Sequence, residues 1–126
     1  MIIRKMKMID LEIVNEKFFF GKGLNANTLK SDFIYVAEDK KEIKGILFAD
    51  ATKTGTAILF AIEVLREYRK NGIAQKLMNR FEKDVMKKRI NVVMTFYNNI
   101  DGIEAFYEKF NYEIGTNLST ACKMLM

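Results

Sequence analysis

The sequence has no histidine, no proline and only one cysteine, Cys122, among its 126 residues. Without histidine the chain has no imidazole for general-base or triad chemistry, and one cysteine cannot build a Cys/His zinc site. We therefore expect no metal cofactor. A single cysteine also excludes an internal disulfide, which favours a reducing, cytoplasmic compartment. Cys122 lies in an apolar segment with no histidine to activate it, so we expect it to serve packing.

Long apolar runs are missing as well. No stretch reaches the ~20 apolar residues that a membrane-spanning helix needs, and the first residues alternate like an amphipathic strand rather than a secretory signal. Hydrophobic residues make up 49% of the chain, which is enough to fill one core. The chain shows no internal repeat and no linker. We expect one domain over residues 1–126 and no membrane partner.

Basic residues outnumber acidic ones by 21 to 16, and the excess is concentrated in one segment. Between Arg66 and Ile90 there are nine lysines and arginines against three acidic residues, a local net charge of +6. A basic helix face can attract nucleic acid, but the only aromatic residue within this helix, Phe81, belongs to its apolar side. A polyphosphate group explains the clustering more economically, so we expect no nucleic-acid partner.

The spacing of apolar residues predicts alternating strands and helices. A strand over 1–8 and a helix from Asp10 to about residue 20 come first, followed by a short second helix capped by Asn25 or Asn27. The remaining predicted elements are strands over 33–38, 43–51 and 57–64, a helix over 72–88, a strand over 92–97, a helix over 101–110, and strands over 112–117 and 120–126. This order predicts an α/β fold with a mixed sheet.

The segment that follows Val64 is the most informative part of the chain. An apolar strand leads through a basic loop into a helix whose apolar residues recur at helical spacing. The start of such a helix presents unpaired N–H groups and a positive dipole end to an anion. Gly72 lets the backbone approach that anion, since it has no Cβ, and Arg69 and Lys70 add positive charge. The alternative is an ordinary strand-to-helix connection with a solvated loop.

The same loop resembles the acyl-CoA pyrophosphate motif of the GNAT superfamily of N-acetyltransferases, Arg-x-x-Gly-x-Ala, with Arg69, Gly72 and Ala74 at the motif positions. Arg66 stands where the family often has proline. A second segment, Phe106–Tyr112, is similar to the late-helix string Phe-Tyr-x-Lys-x-Gly-Phe of the family. Asparagine replaces the glycine there, and asparagine also adopts the left-handed conformation that ends a helix. The two segments occur in family order, with a strand between them.

The resemblance covers roughly residues 43–114. It implies a single-domain GNAT-like mixed sheet of about six to seven strands, with the central strands splayed and about four flanking helices. It also implies that the pantetheine arm of acetyl-CoA lies in the gap between the splayed strands, with the pyrophosphate at the helix start. The cofactor-binding residues that it implies at the strand end, in the loop and at the helix start are Ile62, Val64, Arg69, Lys70, Asn71, Gly72, Ile73, Ala74 and Gln75.

For catalysis, the resemblance implies direct attack of a neutral amine on the thioester carbonyl. Tyr107 matches the acid that serves the departing thiolate, and packing of the late helix is its alternative role. Glu63 interrupts an apolar strand, where a carboxyl group is costly unless paired or useful. It is a candidate general base, or else a partner of Arg66 or a lysine. The family often has a pantetheine-binding asparagine where Ile100 stands here, and Asn99 is the candidate replacement or a helix cap.

We therefore expect an acyltransferase that moves an acetyl group from acetyl-CoA to a primary amine of a small molecule or peptide. A catalytically weak CoA-binding or sensing module of the same fold is the alternative. In this family the early helices help to shape the acceptor pocket, and here they contain three consecutive phenylalanines, residues 18–20. These cannot all face inward on a helix, so we expect one or two of them to line an exposed groove or a homodimer interface.

Overall fold

The computed structural model describes residues 1–97, 102–115 and 120–125. Its strands are β1 (Ile2–Lys5), β2 (Phe33–Asp39), β3 (Glu42–Ala51), β4 (Thr56–Val64), β5 (Val92–Phe96), β6 (Glu113–Ile114) and β7 (Thr120–Met124). Its α-helices are α1 (Leu11–Lys17), α2 (Ile73–Lys87) and α3 (Ile103–Lys109). The seven strands form one sheet in the order β1-β2-β3-β4-β5-β7-β6, in which only the β4–β5 pair is parallel. The predicted α/β fold with a mixed sheet is confirmed.

The short second early helix is present as a 3-10 helix rather than an α-helix, so the described residues contain three α-helices. The segment forms a single 3-10 turn at Thr28–Lys30. The Asn25 side-chain oxygen accepts the backbone N–H groups of Asn27 and Thr28, and the Thr28 hydroxyl bonds back to the Asn25 carbonyl. Such local bonds offer the backbone an alternative to helical hydrogen bonding. The first helix also ends early, at Lys17, because Phe18 is extended and fully buried.

The sheet buries both faces, but unevenly. Side chains of β2 alternate, so that Phe33 and Tyr35 pack in one cluster with the apolar side of α2, while Ile34 and Val36 pack in another with α1. In the described chain, the strand residues of the second cluster come only from β2 and β3. The outer face of β7 is therefore uncovered, and Cys122 is exposed there instead of packed as expected. No helix within the described ranges is long and apolar enough to cross a bilayer.

Strand β4 continues well beyond the end of its pairing with β5. The two strands pair only from Thr56 and Val92 to Leu59 and Thr95, whereas β4 stays paired with β3 as far as its last residue. The β3–β4 register shifts so that Phe60 is the extra residue of a β-bulge. A bulge bends and twists its strand, and this one lies where the pairing with β5 ends. The central strands are thus splayed, as the resemblance implied.

Thr95 closes the narrow end of the gap. It is a buried polar residue, and its Oγ1 donates a hydrogen bond of 2.8 Å to the Leu59 carbonyl, in the last ladder pair before the strands part. Leu59 is also buried, so its carbonyl has little access to water. The hydroxyl of Thr95 therefore satisfies a backbone group at the point where regular pairing stops.

We expect Thr95→Val to lower the free energy of unfolding by about 1–3 kcal/mol, because it leaves a buried carbonyl without this donor. Urea unfolding measures the loss. Thr95→Ser is the matched control, since it keeps the hydroxyl and removes only a methyl group. Equal stability of the valine variant and the unchanged protein would show that the hydroxyl does not hold the two strands at this point.

Candidate active site

The gap between β4 and β5 opens into a cavity of about 740 Å³. Four parts of the chain supply most of its wall: the ends of β4 and β5, the loop before α2, the first turn of α2, and α3. The residues expected at the site that line it are Ile62, Glu63, Val64, Arg69, Lys70, Gly72, Ile73, Ala74, Gln75 and Tyr107. The structure thus brings together side chains that are more than forty positions apart in the chain, such as Ile62 and Tyr107.

The loop before α2 has a backbone suited to an anion. Lys70 and Gly72 both have positive φ, 67° and 78°, and such alternation around Asn71 is typical of backbone nests that bind anions. The Lys76 N–H bonds to the Gly72 carbonyl, so the N–H groups of the three preceding helical residues have no partner within the helix. The positive end of the α2 dipole points the same way.

Gly72 serves this turn in two ways. Its left-handed conformation strains any residue with a side chain. A Cβ built on Gly72 would meet no atom of the chain within 4 Å, so the space beside it is open. A ligand can therefore approach the backbone at a place that a side chain would occupy.

Two neighbouring residues hold the loop in place. The Arg69 Nε donates to the Val64 carbonyl at 2.9 Å, which ties the loop to the end of β4. The Tyr68 hydroxyl donates to Glu42 at 2.6 Å, and the Lys44 ammonium lies 4.4 Å from the centre of the Tyr68 ring. Asn71 does not line the cavity, and its side chain donates to the Tyr68 carbonyl instead.

Among residues 1–97, 102–115 and 120–125, no strand pairs with the end of β4 on the side of the gap. The Leu65 N–H bonds to the Lys44 carbonyl on the β3 side. Because hydrogen-bonding direction alternates along an antiparallel strand, the backbone groups of Ile62 and Val64 face away from β3, into the gap. Arg69 occupies the Val64 carbonyl. The N–H and C=O of Ile62 and the N–H of Val64 are then directed at the cavity.

Tyr107 both packs and faces the cavity. Its ring lies 5.2–5.8 Å from the rings of Phe106, Tyr97 and Tyr112, so the two roles considered from the sequence are combined. Burial raises the pKa of Tyr107 above its ordinary value, and contact with the Thr95 hydroxyl offsets part of that rise. The phenol is therefore protonated at neutral pH. The helix that carries it ends as expected, with Asn111 in the left-handed conformation at φ 66°.

Glu63 lines the cavity from the other side of the sheet. Its Oε2 accepts the Phe19 N–H at 3.1 Å and its Oε1 accepts the Phe20 N–H at 2.8 Å. The alternative of pairing with Arg66 or a lysine is therefore wrong for the described residues: the carboxylate is held by two backbone donors. Within the same residues, no cluster of three or more His, Cys, Asp or Glu is placed to hold a metal ion.

This loop, gap and late helix agree with a comparison of the sequence with known families. The family profile described as Acetyltransferase (GNAT) domain matches residues 30–114. The chain belongs to the GNAT acetyltransferase family. Its class is thereby that of an acyltransferase, as expected from the two motifs. No protein of curated function matches the sequence significantly.

Solved structures of GNAT proteins share the fold. Ard1 from Thermoplasma volcanium has a TM-score of 0.84 at 15% identity, over 99% of this chain and 97% of that one. PaiA N-acetyltransferase from Thermoplasma acidophilum, in complex with coenzyme A, has a TM-score of 0.78 at 17% identity over 98% of both chains. Arabidopsis thaliana Naa50, in complex with the bisubstrate analogue CoA-Ac-MVNAL, has a TM-score of 0.76 at 17% identity over 98% of both. At these identities the likeness concerns the fold.

Sequence reasoning missed part of this GNAT site. Lys109, Tyr97, Phe60 and Phe96 line the cavity and were not expected there. Phe20 also lines it, in agreement with the expectation that one or two residues of the phenylalanine run line an exposed groove. Phe60 and Phe96 each follow a buried strand residue, so each lies on the sheet face away from α2. Only the pairing of β4 with β5 shows that both lie at the same opening. Asn99 and Ile100 lie outside the described residues.

Proposed function

We propose that the chain transfers an acetyl group from acetyl-CoA to a primary amine. The observation that carries this proposal is one cavity that joins a free strand edge at Ile62 to an anion-binding turn at Lys70–Gly72. Pantetheine carries two amide groups, which suit the backbone edge in the manner of an added strand. A pyrophosphate suits the N–H groups and dipole at the start of α2. These features fit coenzyme A along one path.

The reaction requires a neutral amine and a stabilised leaving group. Bound acetyl-CoA supplies an acetyl group activated as a thioester. As the new C–N bond forms, the C–S bond breaks. The nitrogen of an ammonium substrate gives up two of its three protons and keeps the third as the amide N–H. The departing thiolate gains one proton. The products from an ammonium substrate are an N-acetyl amide, the free thiol and one proton.

We assign Tyr107 to the leaving sulfur. An ordinary phenol has a pKa near 10, about 1.5 units above that of an ordinary thiol, and burial raises the pKa of Tyr107 further. Complete proton transfer from Tyr107 to a thiolate is therefore uphill. Its hydroxyl serves best by donating a hydrogen bond to the charge that develops on sulfur, which stabilises the transition state.

We assign Glu63 to the amine. Each of its oxygens accepts one backbone N–H, and each has a further lone pair for another donor. An ammonium group beside it is attracted by its charge and can release a proton to it directly or through a water molecule. The two backbone donors fix the carboxylate at the cavity wall before the amine arrives.

The pyrophosphate assignment is tested by Gly72→Val. The branched side chain enters the open space beside Gly72, so we expect it to remove most of the rise in melting temperature that CoA produces by binding the folded state. Gly55→Val is the matched control, because Gly55 also has a left-handed φ and open space beside it but does not line the cavity. Both variants should lose stability through backbone strain.

One result would contradict the pyrophosphate assignment, and another would contradict the proposed catalysis. If Gly72→Val folds and CoA stabilises it as much as the unchanged protein, the pyrophosphate does not bind at this turn. If CoA binds saturably but no thiol is released with any amine, the chain is the non-catalytic CoA-binding module.

The role of Tyr107 is tested by Tyr107→Phe, which keeps the ring and removes the hydroxyl. We expect turnover to fall by about 10²-fold, as is typical for loss of a donor at a developing charge, with little change in the CoA-induced melting shift. Because burial raises the pKa of Tyr107, activity of the unchanged protein should persist at alkaline pH beyond the point where an ordinary phenol ionises. Tyr112→Phe is the control, since Tyr112 is buried nearby but bonds to Glu82 and does not line the cavity. Normal turnover of Tyr107→Phe would refute the assignment.

The role of Glu63 is tested by Glu63→Gln. We expect kcat/KM to fall by about 10²-fold or more at neutral pH, a typical loss for a general base, and to recover as the pH approaches the pKa of the free amine. Glu67→Gln controls for charge, because Glu67 is exposed in the same region and does not line the cavity. A pH profile parallel to that of the unchanged protein would show that Glu63 is not the base.

A further inference from the structure

One wall of the cavity is aromatic and lies on the sheet face away from α2. Phe20, Phe60 and Phe96 all line the cavity, and they are 45%, 52% and 57% exposed. Their neighbours Leu59 and Thr95 are buried against the face that α2 covers, so alternation turns Phe60 and Phe96 to the opposite face. Three half-exposed phenylalanines at one opening form an apolar surface that a ligand can cover.

Two of the three phenylalanines on this wall are tied to the rest of the chain. Phe60 stacks on Phe48 with ring centres 5.1 Å apart. Phe20 belongs to the segment after α1, which Glu63 ties to β4 through the Phe19 and Phe20 N–H groups. Phe18 fixes the same segment to the protein core, since its side chain is fully buried. A fixed apolar wall loses little freedom when it binds a ligand, which favours affinity.

The wall also lies next to the one carboxylate that lines the cavity in the described residues, that of Glu63. The cationic residues of the lining (Arg69, Lys70 and Lys109) belong to the loop before α2 and to α3. The cavity is therefore divided by chemistry, with positive charge on the α2 and α3 side and a carboxylate among phenyl rings on the other. An ammonium group attached to an apolar body matches the second region, through charge, cation–π contact and apolar burial.

We propose that the acceptor is a primary amine carried on an apolar alkyl or aryl group, bound with its nitrogen at Glu63 and its apolar part against Phe20, Phe60 and Phe96. This inference rests on the proposed function and names the acceptor class for that site. The shared chemistry has two sources: a free hydrophobic amine, or a peptide whose N-terminal residue has an apolar side chain. Polyamines and amino sugars are disfavoured, because a second charge or several hydroxyl groups would lose water against phenyl rings.

The test measures kcat/KM for matched acceptors at saturating acetyl-CoA. Hexylamine, butylamine and 2-phenylethylamine are compared with 1,4-diaminobutane and glucosamine, and peptides beginning with Leu or Phe with peptides beginning with Ser. We expect kcat/KM to rise by about fourfold for each added methylene that is buried. The free amines or the peptides will give the higher values, and that difference identifies the source.

A matched pair of variants tests the wall itself. Phe20→Ser removes the ring and keeps the backbone N–H group that binds Glu63. Ile9→Ser is the control, because Ile9 is a large apolar residue that is 84% exposed and does not line the cavity. We expect Phe20→Ser to lower kcat/KM for hexylamine by about tenfold or more, a size typical for lost apolar burial, while polar amines change little and Ile9→Ser behaves as unchanged protein. Phe96→Ser, at an exposed strand end, gives the same test if Phe20→Ser does not fold.

The outcomes separate this inference from the proposed function. Higher kcat/KM for polar than for apolar amines, or equal loss in Ile9→Ser and Phe20→Ser, would overturn the acceptor class and leave acetyl transfer standing. If no amine is acetylated, calorimetry of hexylamine binding to the CoA complex decides: binding that Phe20→Ser weakens supports the inference, and no binding overturns it. Failure of CoA to raise the melting temperature of the unchanged protein would instead overturn the proposed function.

Discussion

The parting of β4 from β5 is the constraint on which the rest of the structure depends. The parallel pairing stops at Leu59 and Thr95, beside the bulge at Phe60 and one residue before β5 ends. Among the described residues, the remainder of β4 keeps its bonds to β3 and has no strand partner on its other side. Unpaired edges invite another chain. In this molecule the edge faces a cavity, so an extended ligand with amide groups can satisfy it.

The loop before α2 depends on packing elsewhere for its shape. Lys70 has a left-handed conformation, which costs a residue with a side chain roughly 1–2 kcal/mol. Such strain persists when the surroundings determine the backbone. On one side the apolar side of α2 fixes the helix against the sheet, and on the other Arg69 and Tyr68 tie the loop to Val64 and Glu42. The chain's own contacts therefore hold this turn in its shape.

Local sequence patterns were enough to predict the elements that short-range chemistry determines. The strand ending at Val64, the basic turn and the amphipathic α2 are each encoded by a short run of residues, and the structure has them within a residue or two. Long-range pairing determines the rest. The β4–β5 register determines that Phe60 and Phe96 lie at one opening. The extent of the apolar cluster packed with α1 determines that Cys122 is exposed. Apolar spacing predicted neither the partner of Glu63 nor the 3-10 form of the second helix.

The alternation of a single strand explains how a carboxylate in an apolar segment can lie beside a backbone edge that faces the gap. The side chains of Ile62 and Val64 pack toward the face that α2 covers, while their backbone groups face the gap. Glu63, between them, sends its side chain to the opposite face and the segment after α1. Three consecutive residues thus meet the proposed cofactor through their backbone and the proposed amine through a side chain. A shift of one residue in the β3–β4 register would exchange these directions, removing the carboxylate from the aromatic wall and turning the free edge toward β3. Register, set by the bulge at Phe60, is therefore what keeps the two halves of the site on the same strand end.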